Sequence, residues 1–272
     1  MKSDSGPLQV LERYELKYTI PADMVEPISA FVEPYCALDG YSASLPDGFY
    51  QVNSLYFDTP DFFFLRNRVD RVEKRFNMRV RSYSPIPVPP YFLEVKQKQG
   101  DIIRKYRARI REENLERVLD PAEDYMAFLV SPGEAENAAL FRRLVHAHNA
   151  SPVVMTSYRR KAYVAVRDEY ARVTFDIGLR YMAQHEYKPL YLDGGLAPCD
   201  LETRFDENTS VILELKCYSK YVPLWMVDLI RAFELRRRGF SKYSAGMAQL
   251  FRRYEGEDGA KVSPLERMEF DD

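Results

Sequence analysis

The segments Phe92-Leu93-Glu94-Val95-Lys96 and Ile212-Leu213-Glu214-Leu215-Lys216 share one pattern, apolar-Leu-Glu-apolar-Lys. Side chains of an extended strand alternate between its faces. Each segment therefore sends its carboxylate and ammonium to one side and the two apolar residues that alternate with them to the other. Such a pair on one strand is either a solvated ion pair or a metal ligand beside a phosphate clamp. Which of the two applies depends on whether the rest of the chain repeats the alternation.

It does. Period-2 segments run over Arg13 to Tyr18, Gln51 to Asp58, Asn77 to Arg81, Leu93 to Lys98 and Lys105 to Arg109. Three more follow: Val153 to Ala165, Arg172 to Asp176, and Val211 to Lys216. Helical spacing appears over Ala22 to Phe31, Pro60 to Asn67, 134–147, Pro223 to Arg237 and Lys242 to Tyr254. Strands dominate and helices fall between them, which predicts an α+β fold with a large antiparallel sheet. Eight strands can close around a small lumen, but an open sheet covered by a helix has the same periodicity. Turn residues near 40–49 and 84–91 read as loops within one domain spanning 10–254. Residues 1–9 and the acidic stretch 255–272 read as flexible termini.

Composition narrows the function classes. Among 272 residues, 46% are hydrophobic and 29% charged, a globular mix with a core of useful size. The formal charge of −2 gives no global basic field for nucleic acid, so any basic site is local. Cys36, Cys199 and Cys217 are odd in number and widely spaced, which suits a reducing compartment rather than a disulfide framework or zinc site. No signal-peptide pattern opens the chain, and the apolar stretch Tyr221 to Ile230 is too short to span a bilayer. The expectation is a cytoplasmic protein without a membrane span.

Placed on one sheet face, the alternating segments contribute twelve cations: Arg13, Lys17, Arg79, Arg81, Lys96, Lys98, Lys105, Arg107, Arg109, Arg160, Arg172 and Lys216. Only four anions join them, Glu15, Glu94, Asp176 and Glu214, so the face nets +8. Antiparallel sheets often have one charged, wet face, and any single strand is explained that way. Like charges on neighbouring strands repel, however, and an excess this one-sided calls for a bound polyanion. Arg offers planar bidentate donors to phosphate and Lys a point charge. The acids within the cluster suit hard Mg²⁺ or Mn²⁺, with Glu214 and Asp176 leading and Glu94 and Glu15 next; internal salt bridges are the other reading of each.

Glycine-rich phosphate cradles of the G-x-x-x-x-G-K-[ST] and G-x-G-x-x-G types are missing, so phosphate would be held by side chains. His146, His148 and His185 lack acidic neighbours at metal spacing, and no constellation marks a covalent nucleophile. Phosphoryl transfer needs none. Phe240-Ser241-Lys242-Tyr243-Ser244 reads as a helix start with Ser241 as N-cap. A lysine in a first turn opposes the helix dipole, so capping alone does not account for Lys242, and the segment suits a phosphate seat.

Together these segments resemble the VTC catalytic domain, the polyphosphate polymerase branch of the triphosphate tunnel metalloenzymes. The carriers are Glu12-Arg13-x-x-x-Lys17-Tyr18, Ser54-Leu55-Tyr56-Phe57-Asp58, Arg79-x-Arg81 and Leu93-Glu94-x-Lys96. Further along come Tyr158-x-Arg160-x-Ala162-Tyr163, Arg172-Val173-x-x-Asp176, Leu213-Glu214-x-Lys216 and Phe240-Ser241-Lys242-Tyr243. Each is weak alone, but their joint order is specific.

The resemblance implies an eight-stranded antiparallel β-barrel with flanking helices, whose tunnel binds triphosphate or polyphosphate with Mn²⁺ or Mg²⁺. It implies phosphate contacts by Lys17, Arg79, Arg81, Lys96, Arg160 and Arg172, and a metal held by Glu214. Ser241 and Lys242 would bind phosphate near one mouth, with Lys105, Arg107, Tyr158 and Lys216 completing the substrate set. The wider superfamily opens with Glu-x-Glu-x-Lys, whereas this chain has Arg13-x-Glu15-x-Lys17, which fits the polymerase branch better. The implied activity is synthesis of polyphosphate from the γ-phosphate of ATP or another nucleoside triphosphate. A hydrolase of the same fold and a non-catalytic polyphosphate- or nucleotide-binding module are the alternatives. The chain lacks the membrane segments of the eukaryotic polymerases, so coupling to a membrane would need a separate membrane protein partner.

Overall fold

The computed structural model describes residues 13–86, 88–100, 102–167, 170–188, 195–198, 210–218 and 221–258. All eight expected strands form, as β1 (Arg13–Ile20), β3 (Tyr50–Asp58), β4 (Lys74–Ser82), β5 (Tyr91–Gln99), β6 (Ile102–Ile110), β7 (Ser151–Ala165), β8 (Ala171–Ala183) and β10 (Val211–Tyr218). Two short additions, β2 (Cys36–Leu38) and β9 (Ala197–Pro198), pair with β7 and β8. The sheet runs β1-β10-β8-β7-β3-β4-β5-β6, and its pairings are antiparallel.

The helices are α1 (Val25–Val32), α2 (Gly40–Ala43), α3 (Phe63–Val69), α4 (Leu115–Leu119), α5 (Ala135–His148), α6 (Leu224–Ala232) and α7 (Lys242–Asp258). The expected loop at 40–49 thus contains a helical turn, fixed by Asp39, whose carboxylate accepts the Ser42 amide at 2.9 Å. The helix predicted to reach Arg237 stops at Ala232, because Glu234 adopts a left-handed φ of 48° and Arg237 bridges to Tyr18 of β1. The last helix runs to Asp258, four residues past its expected end. Of the stretches expected to be flexible, 1–9 and 259–272 lie outside the described residues, whereas 255–258 belong to the last helix.

Apolar side chains sort by sheet face. On one half, Leu55, Met78, Val80, Leu93, Val95 and Ala108 pack against Leu115 and Val118 of α4 and Phe141 and Val145 of α5. On the other half, Tyr18, Val173, Phe175, Leu213 and Leu215 pack against Ile28 and Val32 of α1 and Met226 and Leu229 of α6. Each such aliphatic or aromatic residue buried from water contributes roughly 1.5–3 kcal/mol. Both groups lie on the outer face. The apolar members of the two Leu-Glu-x-Lys strands are among them.

The inner face is defined by contacts that only a curled sheet can make. Lys96 of β5 meets Glu15 of β1 at 2.5 Å, although these strands lie six places apart in the order. Arg81 of β4 reaches over β3 to donate to the Tyr158 hydroxyl of β7 at 3.2 Å. Backbone closure into a barrel does not follow. The terminal strands β1 and β6 do not pair with each other, because short segments occupy their outer edges. Arg238 donates its amide to Lys17 on β1, while Arg111 and Val130 exchange backbone bonds with Phe128 and Arg109 beside β6. The tunnel is therefore a curled, unclosed sheet.

Helix α7 lies against the inner face. Gly246 stands where a Cβ would meet Val154 and Thr156 side-chain carbons at 3.3 and 3.4 Å. Phe240, Tyr243, Met247 and Leu250 pack with Tyr56, Val154, Tyr158 and Ile212. The inner face is thus apolar where α7 covers it and charged elsewhere. Among the described residues no helix is long and apolar enough to cross a membrane.

A cation-lined tunnel as candidate active site

Cross-strand partners share a face, and the register carries fifteen of the sixteen charged residues expected on the polar face, all but Arg13, to the same side of the sheet. Glu15 stands opposite Lys216, Lys17 opposite Glu214, Arg172 opposite Lys216, Arg160 opposite Asp176, Arg79 opposite Glu94, and Lys96 opposite Lys105. Strand alternation delivers these groups to one lumen.

Inside it the charges resolve into three groups. The first centres on Glu94, which is 2% exposed. Its oxygens take Arg79 Nη2 at 2.7 Å, Lys105 Nζ at 2.7 Å and Arg107 Nε at 2.8 Å. Burial pushes this carboxyl up, but Arg79, Arg81, Lys105 and Arg107 outweigh it and hold it well below the usual range. Burial also drives the Lys105 ammonium down to about 7, against the pull of Glu94.

The second group centres on Asp176. Arg160 binds it with a two-pronged grip at 2.6 and 2.8 Å, and Lys242 Nζ adds a contact at 2.5 Å. Burial raises this carboxyl, yet Arg160 and Lys242 hold it at about 2. The Lys242 ammonium also lies 4.4 Å from the centre of the Tyr158 ring, which fixes the start of α7 against the tunnel. Ser241 caps that helix as expected, its hydroxyl accepting the Ser244 amide at 3.3 Å.

The third group holds Glu15, Lys17, Lys96, Glu214 and Lys216. Lys216 lies 3.1 Å from Glu214 and 4.0 Å from Glu15, so one ammonium serves both carboxylates. Lys17 donates to the Phe240 carbonyl at 3.0 Å and stands 3.9 Å from Glu214. Burial would raise the Glu214 carboxyl, but Lys216, Lys17, Arg160 and Lys96 hold it well below the usual range. Burial depresses Lys96 to about 8 despite Glu15.

The four carboxylates expected as metal ligands are split among these groups, and among the described residues no three acidic, histidine or cysteine side chains gather into a metal-binding set. Glu94 and Asp176 are saturated by guanidinium and ammonium donors. Glu214 is different: it accepts one close cation, and its cross-strand neighbour Thr174 has a buried hydroxyl without a hydrogen-bond partner among the described residues. Ionised carboxylate and hydroxyl oxygens are the donors that hard divalent cations prefer. Glu214 and Thr174 are the oxygens of this group that would be available to such an ion, whereas Glu15 is taken by Lys96 and Lys216.

Arg172 sits at the rim, paired with Asp39 Oδ2 at 2.6 Å, and Arg109 is held by Glu134 at 2.7 Å. Three tyrosines hold the guanidiniums: sequence reading places Tyr158 in the substrate set but gives Tyr56 and Tyr83 no role in the site. Tyr56 accepts from Arg79 at 3.1 Å, Tyr158 from Arg81, and Tyr83 from Arg107 at 2.5 Å. Burial raises the Tyr83 hydroxyl, yet Arg81 and Arg107 bring it to about 7. The period-2 rule places Tyr83 two residues beyond Arg81 on the same face, which was the available signal.

No curated protein matches the chain. Among solved structures, a Bacillus halodurans protein provisionally assigned as an adenylate cyclase matches at 13% identity and a TM-score of 0.46, covering 85% of this chain and 95% of its own. The PH1819 protein of Pyrococcus horikoshii OT3 matches at 11% identity and a TM-score of 0.41, covering 90% and 99%. A provisionally assigned adenylyl cyclase of Hippeastrum with a dominant triphosphatase activity matches at 15% identity and a TM-score of 0.43, covering 93% and 98%. Likeness this remote says nothing about activity. The family model of the VTC domain matches residues 12–251, nearly the whole strand and helix array that builds the tunnel. The chain belongs to the VTC domain family.

Proposed function

We propose that this protein is a phosphotransferase that makes inorganic polyphosphate from the γ-phosphate of ATP or another nucleoside triphosphate inside the tunnel. Membership in the VTC family supports a triphosphate- or polyphosphate-handling enzyme of the tunnel type. The observation that carries the finer reading is the inward-facing array of Lys17, Arg79, Arg81, Lys96, Lys105, Arg107, Arg160, Lys216 and Lys242. These cations come from six strands and one helix and surround one lumen.

In the transfer, a terminal phosphate oxygen of the growing chain attacks the γ-phosphorus. The bond from that phosphorus to the β–γ bridging oxygen breaks, and ADP leaves with the electron pair. Negative charge shifts among the oxygens throughout, and Arg79, Arg81, Arg160 and Lys242 are already fixed by buried partners, so they need little reorganisation to meet it. Glu94 and Asp176 act as positioning residues that hold these cations in place. Ser241 and Lys242 present a hydroxyl and an ammonium at the start of α7, where the substrate-proximal end of the tunnel is covered. Glu214 would hold Mn²⁺ or Mg²⁺, and such an ion, when bound, would supply charge neutralisation to the triphosphate. The reaction draws on cytoplasmic nucleotide.

Incubation of the purified protein with ATP and Mn²⁺ is expected to give polyphosphate and ADP, and Glu214→Ala is expected to lower the rate by about a hundredfold or more. Free phosphate without long-chain product would assign a hydrolase. Binding without turnover that survives Glu214→Ala would assign a non-catalytic module.

A further inference from the structure

One cluster at the tunnel rim has no part in holding phosphate. Tyr50 and Phe92 face the lumen from β3 and β5, Tyr83 follows the last residue of β4 and meets Arg81 and Arg107, and Tyr41 of α2 lies over them. The Tyr41 ring is stacked on Tyr83, with centroids 5.4 Å apart and planes 26° apart, and lies 5.2 Å from Tyr50. Tyr83 meets Phe92 edge-on at 5.1 Å. The guanidinium of Arg107 sits 4.3 Å over the Phe92 ring, and that of Arg81 lies 5.8 Å from Tyr83. The ring series thus ends on two of the cations proposed to take phosphate.

At its outer end the series meets solvent. Tyr50 and Phe92 are buried, whereas Tyr41 is 51% exposed. An isolated exposed tyrosine is ordinary, but this one is held rigidly. Its helical turn is tied to β7 on both sides: Asp39 donates its amide to the Ala162 carbonyl at 2.8 Å, and Ala162 donates to the Ser42 hydroxyl at 2.9 Å. The Asp39 carboxylate is anchored in turn by Arg172. A preorganised aromatic surface that loses little entropy on binding is therefore set beside a phosphate site.

We infer that Tyr41, supported by Tyr83 and Tyr50, is the platform on which the base of a nucleoside triphosphate stacks, with the triphosphate directed past Arg81 and Arg107 into the tunnel. A nucleoside triphosphate has a flat π-system at one end and its charge at the other, and the rim offers complements to both in that order. Stacking is tolerant of base identity, so the platform would select nucleotides over inorganic phosphates without strong preference among bases. The inference deepens the function proposed above and rests on its assignment of triphosphate to the lumen.

Calorimetric titration with ATP and with inorganic tripolyphosphate tests it, using the whole protein and Mg²⁺. Tyr41→Ala is expected to lower the ratio of ATP to tripolyphosphate affinity about tenfold. Tyr41→Trp is expected to keep that ratio within about twofold of the parent, because a flat ring is restored. An unchanged ratio in Tyr41→Ala, or tripolyphosphate binding by the parent without ATP binding, would overturn the platform while leaving the tunnel assignment standing. A Tyr41-dependent ATP affinity without polyphosphate synthesis would support the platform and remove the polymerase. Binding of neither ligand would overturn both.

Discussion

Asp176 shows how a single buried carboxylate sets the acid limit of the tunnel. Its folded value of about 2 lies below the ordinary 3.8, so the folded state holds the ionised form more tightly than the unfolded chain does. The stabilisation is complete above about pH 4 and is lost as pH falls towards 2. It amounts to something on the order of 2 kcal/mol. Urea unfolding midpoints measured from pH 5 down to 2 should fall over that window, and Asp176→Asn should be less stable throughout with a flatter acid dependence. The lysines set a second limit, of opposite sign. Lys105 and Lys96 are depressed to about 7 and about 8, so both lose charge as pH rises through the neutral range. A phosphate ligand favours their charged forms. Tripolyphosphate binding at pH 8 is therefore expected to take up protons, visible as a dependence of the calorimetric heat on buffer ionisation, and to be weaker at pH 9 than at pH 6.

At the scale of elements, the alternation that marked the strands was legible because one face had to be apolar and the other charged. Leu93 and Val95 point outward for the same reason that Glu94 and Lys96 point inward. Reading was poorer where conformation depends on distant partners. The stop at Ala232 depends on Arg237 engaging β1, and the turn at Gly40 depends on Asp39 meeting Arg172 from β8. Neither pairing leaves a periodic trace. The carboxylates were the hardest to read: a Glu within a basic strand looks the same whether three cations saturate it closely, as at Glu94, or one lies close and a second at 3.9 Å, as at Glu214. The start of α7 was legible through Ser241. Replacing it by Ala should cost about 1 kcal/mol of stability and by Gly only a few tenths, read from thermal or urea unfolding. Tripolyphosphate affinity should fall in both variants, because both lack the hydroxyl that would meet phosphate.

For the whole molecule, the near-neutral composition concealed a charge separation that only the sheet register reveals. The strongly basic inner face is compatible with folding because Glu94, Asp176, Glu214 and Glu15 are interleaved within it. The same arrangement bears on the gap left where β1 and β6 do not pair. A sheet sealed by a ladder of amide bonds has a fixed bore. Here β5 and β1 are linked across the interior by the ion pair between Lys96 and Glu15, both of which keep some contact with water. Such a pair weakens as the Debye length shrinks to about 3 Å near 1 M salt. Spin labels at Tyr14 and Arg104, solvent-exposed positions on β1 and β6, should report a longer or broader distance distribution at high salt than at low, and an identical distribution would exclude the effect. The ion pair is an electrostatic latch, so the width of the channel becomes a property of the surrounding electrolyte as well as of the fold. Polyphosphate is itself a concentrated electrolyte, and on entering it would compete for the lysine that keeps the latch shut.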